Sequence, residues 1–358
     1  AAIPFARNHD ANFAPSYGAP HTVDIIAIFP DFDADENEPA SYDFHLTDEY
    51  NETIMAAGTK VFYRLGNKIE HESKRYGALP PKDPHKWARI CEHIIRHMNE
   101  GWADGHHYGI EYWEIWNEPN WYFFAGTPEE YFSLLEKTAT IIKTENPSAY
   151  VYSGGLAVAE KESNLVFYQK SAELMNKNLL DNYGYHNHDG LDNYYDYMGK
   201  TLSLTKSAGL SNGGFNSESG VGGTDAATIA CKALYTRSTG AKGFVSFAFR
   251  KTVTPENDIN DFAFFNEYMQ PTEAVITYAT VIRFLGNADF VRNISNEKNL
   301  VIDEYTENGK KIEVYYSLGE KTKTAAPEGN YKAFDMYGNE IQIGRKLTVS
   351  NTPIYIVY

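Results

Sequence analysis

Apolar and polar positions follow two alternating periods through most of the chain. Short runs rich in β-branched and aromatic residues predict buried strands, and between them apolar residues recur every three or four positions, as in helices. The predicted strands are 60–65, 110–116, 150–154, 182–186, 214–217 and 243–249. Because a strand-then-helix unit repeats, we predict an α/β chain whose parallel strands close into a (β/α)₈ barrel with helices outside.

Capping signals support the predicted helices. Asp83-Pro84 opens one helix, whose apolar stripe runs from Trp87 to Met98, and the capping-box pattern of residues 127–130 opens the next. The remaining helices are predicted at 43–57, 161–177, 192–209, 224–239 and 271–285.

The two ends of the chain depart from this repeat. Two strand-like runs, 3–9 and 23–29, precede the first helix with only a turn-like stretch between them, so the first β/α unit is predicted to be degenerate or missing. After residue 286, alternating runs flank the hairpin signal Glu307-Asn308-Gly309. We therefore predict two domains, a catalytic barrel over 1–286 and a small antiparallel, β-sandwich-like accessory domain over 287–358.

Composition excludes several classes of protein. The 358 residues carry a formal charge of −16, which disfavours binding to nucleic acid or anionic lipid. No apolar run reaches the roughly 18 to 20 residues of a membrane span, and no G-x-G-x-x-G turn follows a strand. The two cysteines, Cys91 and Cys231, are predicted to be small buried residues because each lies in an apolar helical pattern.

The segment Tyr112-Trp113-Glu114-Ile115-Trp116-Asn117-Glu118-Pro119-Asn120 carries the first chemical signal. It places Glu118 where a buried strand ends, which in a barrel is the face that holds active sites. Aromatic neighbours remove water from the carboxylate, which raises its pKa and suits a general acid. The alternative is a glutamate that only caps the loop.

A second carboxyl follows another predicted strand at Glu218. Three β/α units separate it from Glu118, so the two strands are expected on opposite sides of a barrel mouth. Paired carboxyls facing across a cleft hydrolyse glycosides, with retention of configuration when they lie about 5 to 5.5 Å apart. The alternative is an exposed carboxylate in a flexible loop.

The Trp116-Asn117-Glu118-Pro119 segment resembles the acid/base motif of retaining (β/α)₈ glycosidases. Further features make the chain most similar to glycoside hydrolase family 39, the β-xylosidase and α-L-iduronidase family, over most of residues 1–290. They are Arg7-Asn8-His9-Asp10, Tyr63-Arg64-Leu65-Gly66 followed by Glu70, the 81–87 approach to the long helix, and Asn120. The resemblance implies that Glu118 is the acid/base, that Glu218 is the nucleophile, and that Asn117 binds the sugar 2-hydroxyl.

The resemblance also implies a substrate-binding set around the carboxyls. His186 matches a histidine that touches substrate or catalytic carboxylates, and His9 matches a substrate-binding histidine. Glu70, Tyr185 and Phe249 complete the predicted site, the last two as walls. His188 stands where many relatives have Tyr, and Phe249 ends a strand where relatives place Trp, so stacking is weaker or the sugar differs from xylose.

We predict no metal and no cofactor. His93 and His97 lie one helical turn apart but lack the Glu of H-E-x-x-H, so a solvated helix face is expected there. His106 and His107 are predicted in a loop. The acidic run 31–38 does not have EF-hand spacing.

The predicted function is retaining hydrolysis of a glycosidic bond in an oligo- or polysaccharide, β-xylosidase-like, by double displacement. The alternatives are a catalytically weak or inactive carbohydrate-binding barrel and a transglycosylase. The expected partner is a carbohydrate substrate, with the sugar, its linkage, exo or endo action and the oligomeric state left open. Because polysaccharides lie outside cells, a secreted or periplasmic location is expected, although the chain, which starts at Ala1, carries no signal-peptide pattern.

Overall fold

The structure is a computed structural model that describes residues 3–8, 23–66, 78–220, 226–247, 249, 252–253, 258–259, 264–266, 268–295, 299–319 and 321–358. Its helices are α1 Ile25–Ile28, α2 His45–Ala56, α3 Pro84–Glu100, α4 Pro128–Glu145, α5 Leu165–Asn176, α6 Leu191–Ser207, α7 Ala226–Ser238 and α8 Glu273–Leu285. The strands up to the last helix are β1 Phe5–Arg7, β2 Lys60–Leu65, β3 Tyr112–Ile115, β4 Tyr150–Ser153, β5 Gly184–His186, β6 Phe215–Ser219, β7 Phe244–Ser246, β8 Thr252–Val253 and β9 Asp258–Ile259. Those after it are β10 Asp289–Asn293, β11 Leu300–Glu307, β12 Lys310–Ser317, β13 Thr322–Ala325, β14 Lys332–Phe334, β15 Glu340–Ile341, β16 Lys346–Val349 and β17 Ile354–Val357.

Most predicted elements are present, but the strand expected at 23–29 is wrong. Residues 25–28 instead form the single helical turn α1, and only Asp24 makes a parallel bridge, to Gly66. Its apolar residues are buried all the same, with Ile25 and Ile28 at 2% and 0% exposure. A short buried apolar run does not distinguish a strand from a helical turn, which explains the error.

The helix ends follow their capping residues. The Asp83 side chain accepts hydrogen bonds from the backbone N–H groups of His85 and Lys86, and Gly101 ends α3 in the left-handed conformation with φ 78°. Thr127 and Glu130 form the predicted capping box at the start of α4.

The described chain divides into two compact units. Residues 2–186 and 201–217 form one, here called the Glu118 unit, and residues 187–200 and 218–358 form the other, the Glu218 unit. The domain boundary between residues 286 and 287 stays a prediction.

Parallel strands form the centre of the Glu118 unit. The sheet order is β1-β2-β3-β4, every neighbouring pair is parallel, and bridges from Tyr152 to Asn182 and from Leu156 to Tyr185 extend it towards β5. The backbone N–H of Phe215 donates to the carbonyl of Tyr183 at 3.0 Å, which brings β6 beside β5. Because the strands are parallel, their carboxyl ends meet at one edge, and the residues that follow them can form one site.

An antiparallel sheet dominates the C-terminal part of the Glu218 unit, as predicted. Its order is β10-β11-β12-β17-β14-β15, and β13 pairs separately with β16. Asn308 and Gly309, both with positive φ, turn the chain from β11 to β12. The sheet packs against α7 and α8, with the Phe284 ring 5.0 Å from the Tyr355 ring.

Two smaller predictions concern burial and membrane insertion. Cys91 and Cys231 are both free and buried, as the sequence predicts. Among the described residues, no helix has both the length and the apolar character that crossing a bilayer requires.

Candidate active site

Glu118 follows β3 on an unusual backbone. Its φ is 44° and that of Trp116 is 75°, a left-handed region that costs a non-glycine residue roughly 1 to 3 kcal/mol. Hydrogen bonds hold it there: the Glu118 N–H donates to the Gly155 carbonyl at 3.0 Å, and the Trp121 N–H donates to the Glu118 carbonyl at 2.9 Å. The carboxyl is 7% exposed, so this backbone places a nearly buried acid at the end of a parallel strand.

Asn120 ties this loop to the next one. Its amide nitrogen donates to the Ala157 carbonyl at 2.7 Å and to Oδ1 of Asn164 at 2.8 Å. Its amide oxygen accepts from the Ala157 N–H at 3.0 Å. The motif's last asparagine is therefore a positioning residue for the Glu118 loop.

A buried ion pair lies beneath the loop. Nε of Arg7 donates to Oε2 of Glu114 at 2.6 Å, and both side chains are almost fully buried. Oγ of Ser217 donates to the other oxygen, Oε1, at 2.7 Å. Since a hydroxyl has one proton, Ser217 has given its donor to Glu114 and can only accept from a further neighbour.

That neighbour is His186, and the contact fixes its protonation. Nε2 of His186 lies 3.1 Å from Ser217 Oγ and therefore carries a proton. Nδ1 lies 2.7 Å from Oε1 of Glu118. One proton is then shared between Glu118 and His186, as a carboxylic acid beside a neutral ring or as a carboxylate beside an imidazolium.

Gly155 makes room for this histidine. A Cβ on Gly155 would lie 2.1 Å from Nε2 of His186 and 2.7 Å from Oγ of Ser217. No side chain fits there, so the second residue after β4 must be glycine for the ring to reach both partners.

The orientation of Asn117 is also assigned by its neighbour. The Arg7 guanidinium donates to Oδ1 of Asn117 at 2.7 Å, and a guanidinium only donates. The amide NH₂ group therefore points away from Arg7 and supplies the donors that a hydroxyl-bearing ligand needs.

Glu218 lies directly after Ser217 in β6 and is 8% exposed. Within the Glu218 unit, Nε2 of His188 lies 3.5 Å from Oε1 of Glu218. Nδ1 of His188 accepts the Gly220 N–H at 3.2 Å, so a neutral ring carries its proton on Nε2 and directs it at the carboxylate. His188 thus presents a donor to the Glu218 carboxylate.

Of the other predicted site residues, Tyr185 is buried and Phe249 is exposed. Tyr185 follows Gly184 and precedes His186 in β5, so alternation turns it to the other face, where it is 1% exposed and packs 6.5 Å from the Tyr183 ring. The prediction that it forms a wall of the site is corrected to a core position. Phe249 is 55% exposed, beside the Phe265 ring at 4.8 Å. His9 and Glu70 lie outside the described residues.

Sequence reasoning missed the residues that support Glu118. Arg7 and Glu114 had a visible signal, since a charged residue inside a buried strand needs a partner of opposite charge. Ser217 and Gly155 had none, because only the fold brings them to His186. Trp121 and Tyr122, each 41% exposed, form an aromatic surface directly after the motif, and Lys161 lies 5.5 Å from the Trp121 ring.

The two histidines of α3 are not on a solvated face, contrary to the prediction. His93 is 6% exposed and His97 is 2% exposed. Nδ1 of His93 contacts the carbonyl of Arg89 at 2.9 Å, and Nδ1 of His97 contacts that of Trp102 at 2.9 Å. Each ring donates its Nδ1 proton to a backbone carbonyl oxygen, and this hydrogen bond allows the histidine to be buried.

Parallel strands, a buried carboxyl at their C-terminal ends and an antiparallel C-terminal sheet are the features of a (β/α)₈ barrel with a C-terminal β domain. Residues 17–172 are similar to a known family, since they match the model of Glycosyl hydrolases family 39. A beta-xylosidase of Caldicellulosiruptor saccharolyticus is 36% identical over 110 residues. That match spans 29% of this chain and 20% of the relative's length.

Solved structures agree over nearly the whole chain. A glucosidase from Croceicoccus marinus is similar with a TM-score of 0.70 at 15% identity, covering 99% of this chain and 89% of that one. A family 39 glycoside hydrolase from Bacteroides cellulosilyticus gives 0.68 at 16% identity over 93% and 73% of the two chains. A family 39 beta-xylosidase from Caulobacter crescentus gives 0.60 at 16% identity over 88% and 83%. These likenesses confirm the predicted fold class, a (β/α)₈ barrel with a C-terminal β domain.

Proposed function

We propose that the protein is a retaining glycoside hydrolase that cleaves a glycosidic bond of an oligo- or polysaccharide. The observation that carries the proposal is the 2.7 Å contact between Oε1 of Glu118 and Nδ1 of His186, which leaves one proton to be shared between them. A nearly buried carboxyl that can hold a proton at the end of a parallel strand is what a general acid requires. The similarity to a beta-xylosidase supports a xyloside-like substrate.

In the first step of the proposed mechanism, Glu218 attacks the anomeric carbon while Glu118 protonates the leaving oxygen. The bond from the anomeric carbon to that oxygen breaks, and a glycosyl ester forms on Glu218. Glu118 is then a carboxylate that faces the lone pair on Nδ1 of His186. This repulsion favours taking a proton back.

In the second step, water attacks the glycosyl ester and gives its proton to Glu118. The free sugar leaves, Glu218 returns to a carboxylate, and Glu118 is protonated for the next cycle. The NH₂ group of Asn117, left free to donate because Arg7 occupies Oδ1, binds the sugar 2-hydroxyl. This mechanism needs no cofactor, since each step is a proton transfer or a carboxylate displacement.

A panel of aryl glycosides tests the proposal. We expect turnover of at least one aryl glycoside, and the aryl β-xyloside should be hydrolysed fastest. The Glu118→Gln variant should lose turnover of substrates with poor leaving groups. Binding of sugars without any turnover would instead support the carbohydrate-binding barrel. Products enlarged by an added sugar acceptor would identify the transglycosylase. A glycosidase of this kind acts on polysaccharides outside cells, so we also propose a secreted or periplasmic location.

A further inference from the structure

Two histidines and one carboxylate converge at the C-terminal end of α3, separately from the Glu118 network. Nε2 of His97 lies 3.0 Å from Oδ1 and 3.2 Å from Oδ2 of Asp48, which comes from the first turn of α2. Nε2 of His106, from the loop after α3, lies 3.2 Å from Oδ2 of the same carboxylate. The three ligand atoms all lie within 4.8 Å of one another.

The tautomer of His97 leaves no proton between its Nε2 atom and the Asp48 carboxylate. Nδ1 of His97 lies 2.9 Å from the carbonyl oxygen of Trp102, which can only accept, so Nδ1 carries the ring proton. A neutral His97 then presents the Nε2 lone pair to the Asp48 carboxylate. Two electron-rich atoms 3.0 Å apart are held together either by a cation or by a second ring proton.

His106 provides an independent observation. Its Nε2 atom is buried, and no hydrogen-bond partner for it exists among the residues the structure describes. It nevertheless approaches Asp48 Oδ2 at 3.2 Å, without the alignment of a hydrogen bond. A buried ring nitrogen aimed at a carboxylate already facing a second imidazole is arranged as a ligand, not as a hydrogen-bond donor.

The separations between the ligand atoms fit a coordination shell. Bonds of about 2.1 Å to nitrogen and oxygen give ligand-to-ligand edges of about 3.0 Å in an octahedron and about 3.4 Å in a tetrahedron. The distances from Asp48 to the two histidines, 3.0 to 3.2 Å, lie within that range. Two imidazoles and one carboxylate are a donor set suited to zinc, iron, cobalt and nickel.

Neighbouring side chains hold the ligands in place. The Phe44 ring stacks on His97 at 3.5 Å with 4° between the planes, and Tyr108 stacks on His106 at 4.3 Å with 7°. A Cβ on Gly105 would lie 2.7 Å from Nδ1 of His97, so a glycine is needed for the loop to return this closely to the helix. The arrangement is therefore organised before any ion enters.

We propose that Asp48, His97 and His106 bind one divalent transition-metal ion. The side chains of Asp48 and His106 are 24% and 30% exposed, so the ion enters from that side and water completes its shell. The ion links α2, α3 and the following loop, and its role is to stabilise this corner of the Glu118 unit. The sequence predicted no metal here, because the helical pair His93 and His97 lacks the Glu of H-E-x-x-H. The histidine that converges with His97 is His106, from the following loop.

Zinc binding to the untagged full-length chain tests the proposal. We expect one Zn²⁺ per chelator-treated chain by calorimetry, retention of that ion after dialysis, and a higher melting temperature. Co²⁺ in the same site should give visible absorption of a nitrogen- and oxygen-ligated ion. His106→Ala should weaken zinc binding at least about tenfold. The control is His107→Ala, an exposed neighbour in the same loop, which should bind as the parent does.

Asp48→Asn is the second variant, because it keeps the shape of the side chain while removing the charge. It should also lose the zinc-dependent rise in melting temperature, while its circular dichroism spectrum stays that of the parent. If the parent binds no stoichiometric zinc, a second ring proton joins His97 to Asp48 and the proposal is wrong. Equal zinc affinity in His106→Ala and His107→Ala would likewise overturn it.

Discussion

His186 places Nδ1 2.7 Å from Oε1 of Glu118, and this contact couples the protonation of the two side chains. The ring is held in one tautomer from its other side, by Ser217, Glu114 and Arg7 in succession. The Glu118 carboxyl is therefore positioned through His186 by three buried residues. In the proposed mechanism this chain of contacts keeps one proton available to Glu118 in each cycle.

Ser217→Ala should lower kcat/KM about tenfold to a hundredfold, the effect of losing hydrogen bonds to charged partners. Without the acceptor on Ser217, His186 is free to carry its proton on Nδ1 and donate it to the Glu118 carboxylate. That stabilises the ionised acid, so the high-pH limb of the pH–rate profile should move to lower pH. Rates measured across pH with an aryl glycoside check both effects.

The matched control is Ser217→Thr, which keeps the hydroxyl. It should retain the parent's pH profile, because the same donor and acceptor remain available to Glu114 and His186. A Ser217→Ala profile that superimposes on the parent's, with only a lower rate, would reduce Ser217 to a packing role.

Azide separates the roles proposed for the two glutamates. Glu218→Gly should be inactive in water, and azide should restore cleavage of an activated aryl glycoside with inversion at the anomeric carbon. Glu118→Ala should still form the glycosyl ester when the leaving group is good, and azide should then give a glycosyl azide of retained configuration. Nuclear magnetic resonance of the two products distinguishes the configurations.

The double variant Glu118→Ala, Glu218→Gly serves as the control: because it cannot form the glycosyl ester, it should give no azide product of retained configuration. If the Glu218→Gly product has retained configuration, or if that variant hydrolyses glycosides at the parent's rate, Glu218 is not the nucleophile. The (β/α)₈ fold would stand in either case, since it rests on other observations.

Periodicity predicts elements well where the chain is long and amphipathic, and less well where it is short. α3 and α4 appear with their predicted caps, because Asp83-Pro84 and the 127–130 capping box are local signals. The strand prediction for residues 23–29 was wrong because burial does not distinguish a strand from a helix in so few residues. The position of Glu118 at the end of a parallel strand could be predicted from its motif. The contacts of Ser217 and Gly155 with His186 could not, because they depend on three separate strand ends meeting.

His97 and His106 show the same limit in another region. The sequence displays a regular pair, His93 and His97, and a separate doublet, 106–107. Only the return of the loop at Gly105 brings His106 to the carboxylate that His97 faces. Spacing along one helix therefore does not reveal this contact.

Gly155→Ala should impair the site through His186. The added Cβ would overlap Nε2 of His186, at 2.1 Å, so the ring must move away from Ser217 and Glu118. We expect a loss of kcat/KM of at least about tenfold, together with roughly 1 to 3 kcal/mol of lost stability from overpacking. Kinetics and denaturant unfolding of the variant measure the two effects.

Gly199→Ala is the matched control, because nothing lies within 4 Å of the added Cβ and the residue lies inside α6. It should leave kcat/KM unchanged and raise stability by up to about 1 kcal/mol, the difference in helix propensity. Normal kinetics in Gly155→Ala would mean that His186 can move without cost, and the positioning role of Gly155 would be lost.

Asp303 makes the stability of the Glu218 unit depend on pH. Burial raises its pKa from 3.8 to about 6, against the opposing effect of hydrogen bonds from Asn293 and Tyr316. Because the folded carboxyl holds its proton more tightly than the unfolded one, its charge destabilises the fold fully above about pH 6, and that cost disappears as the pH falls below 3.8. Asp303→Asn, which stays neutral, should therefore gain stability relative to the parent as the pH rises from 4 to 7, by up to about 3 kcal/mol.

Chemical unfolding of the parent and of Asp303→Asn at several pH values between 4 and 7 measures this difference. Asp289→Asn, in the neighbouring strand β10 and exposed, is the control for removing one negative charge and should not reproduce the trend. A gap between Asp303→Asn and the parent that is constant over that range would show that the Asp303 carboxyl is already ionised at low cost. The asparagine would then act only through its altered hydrogen bonds to Asn293 and Tyr316.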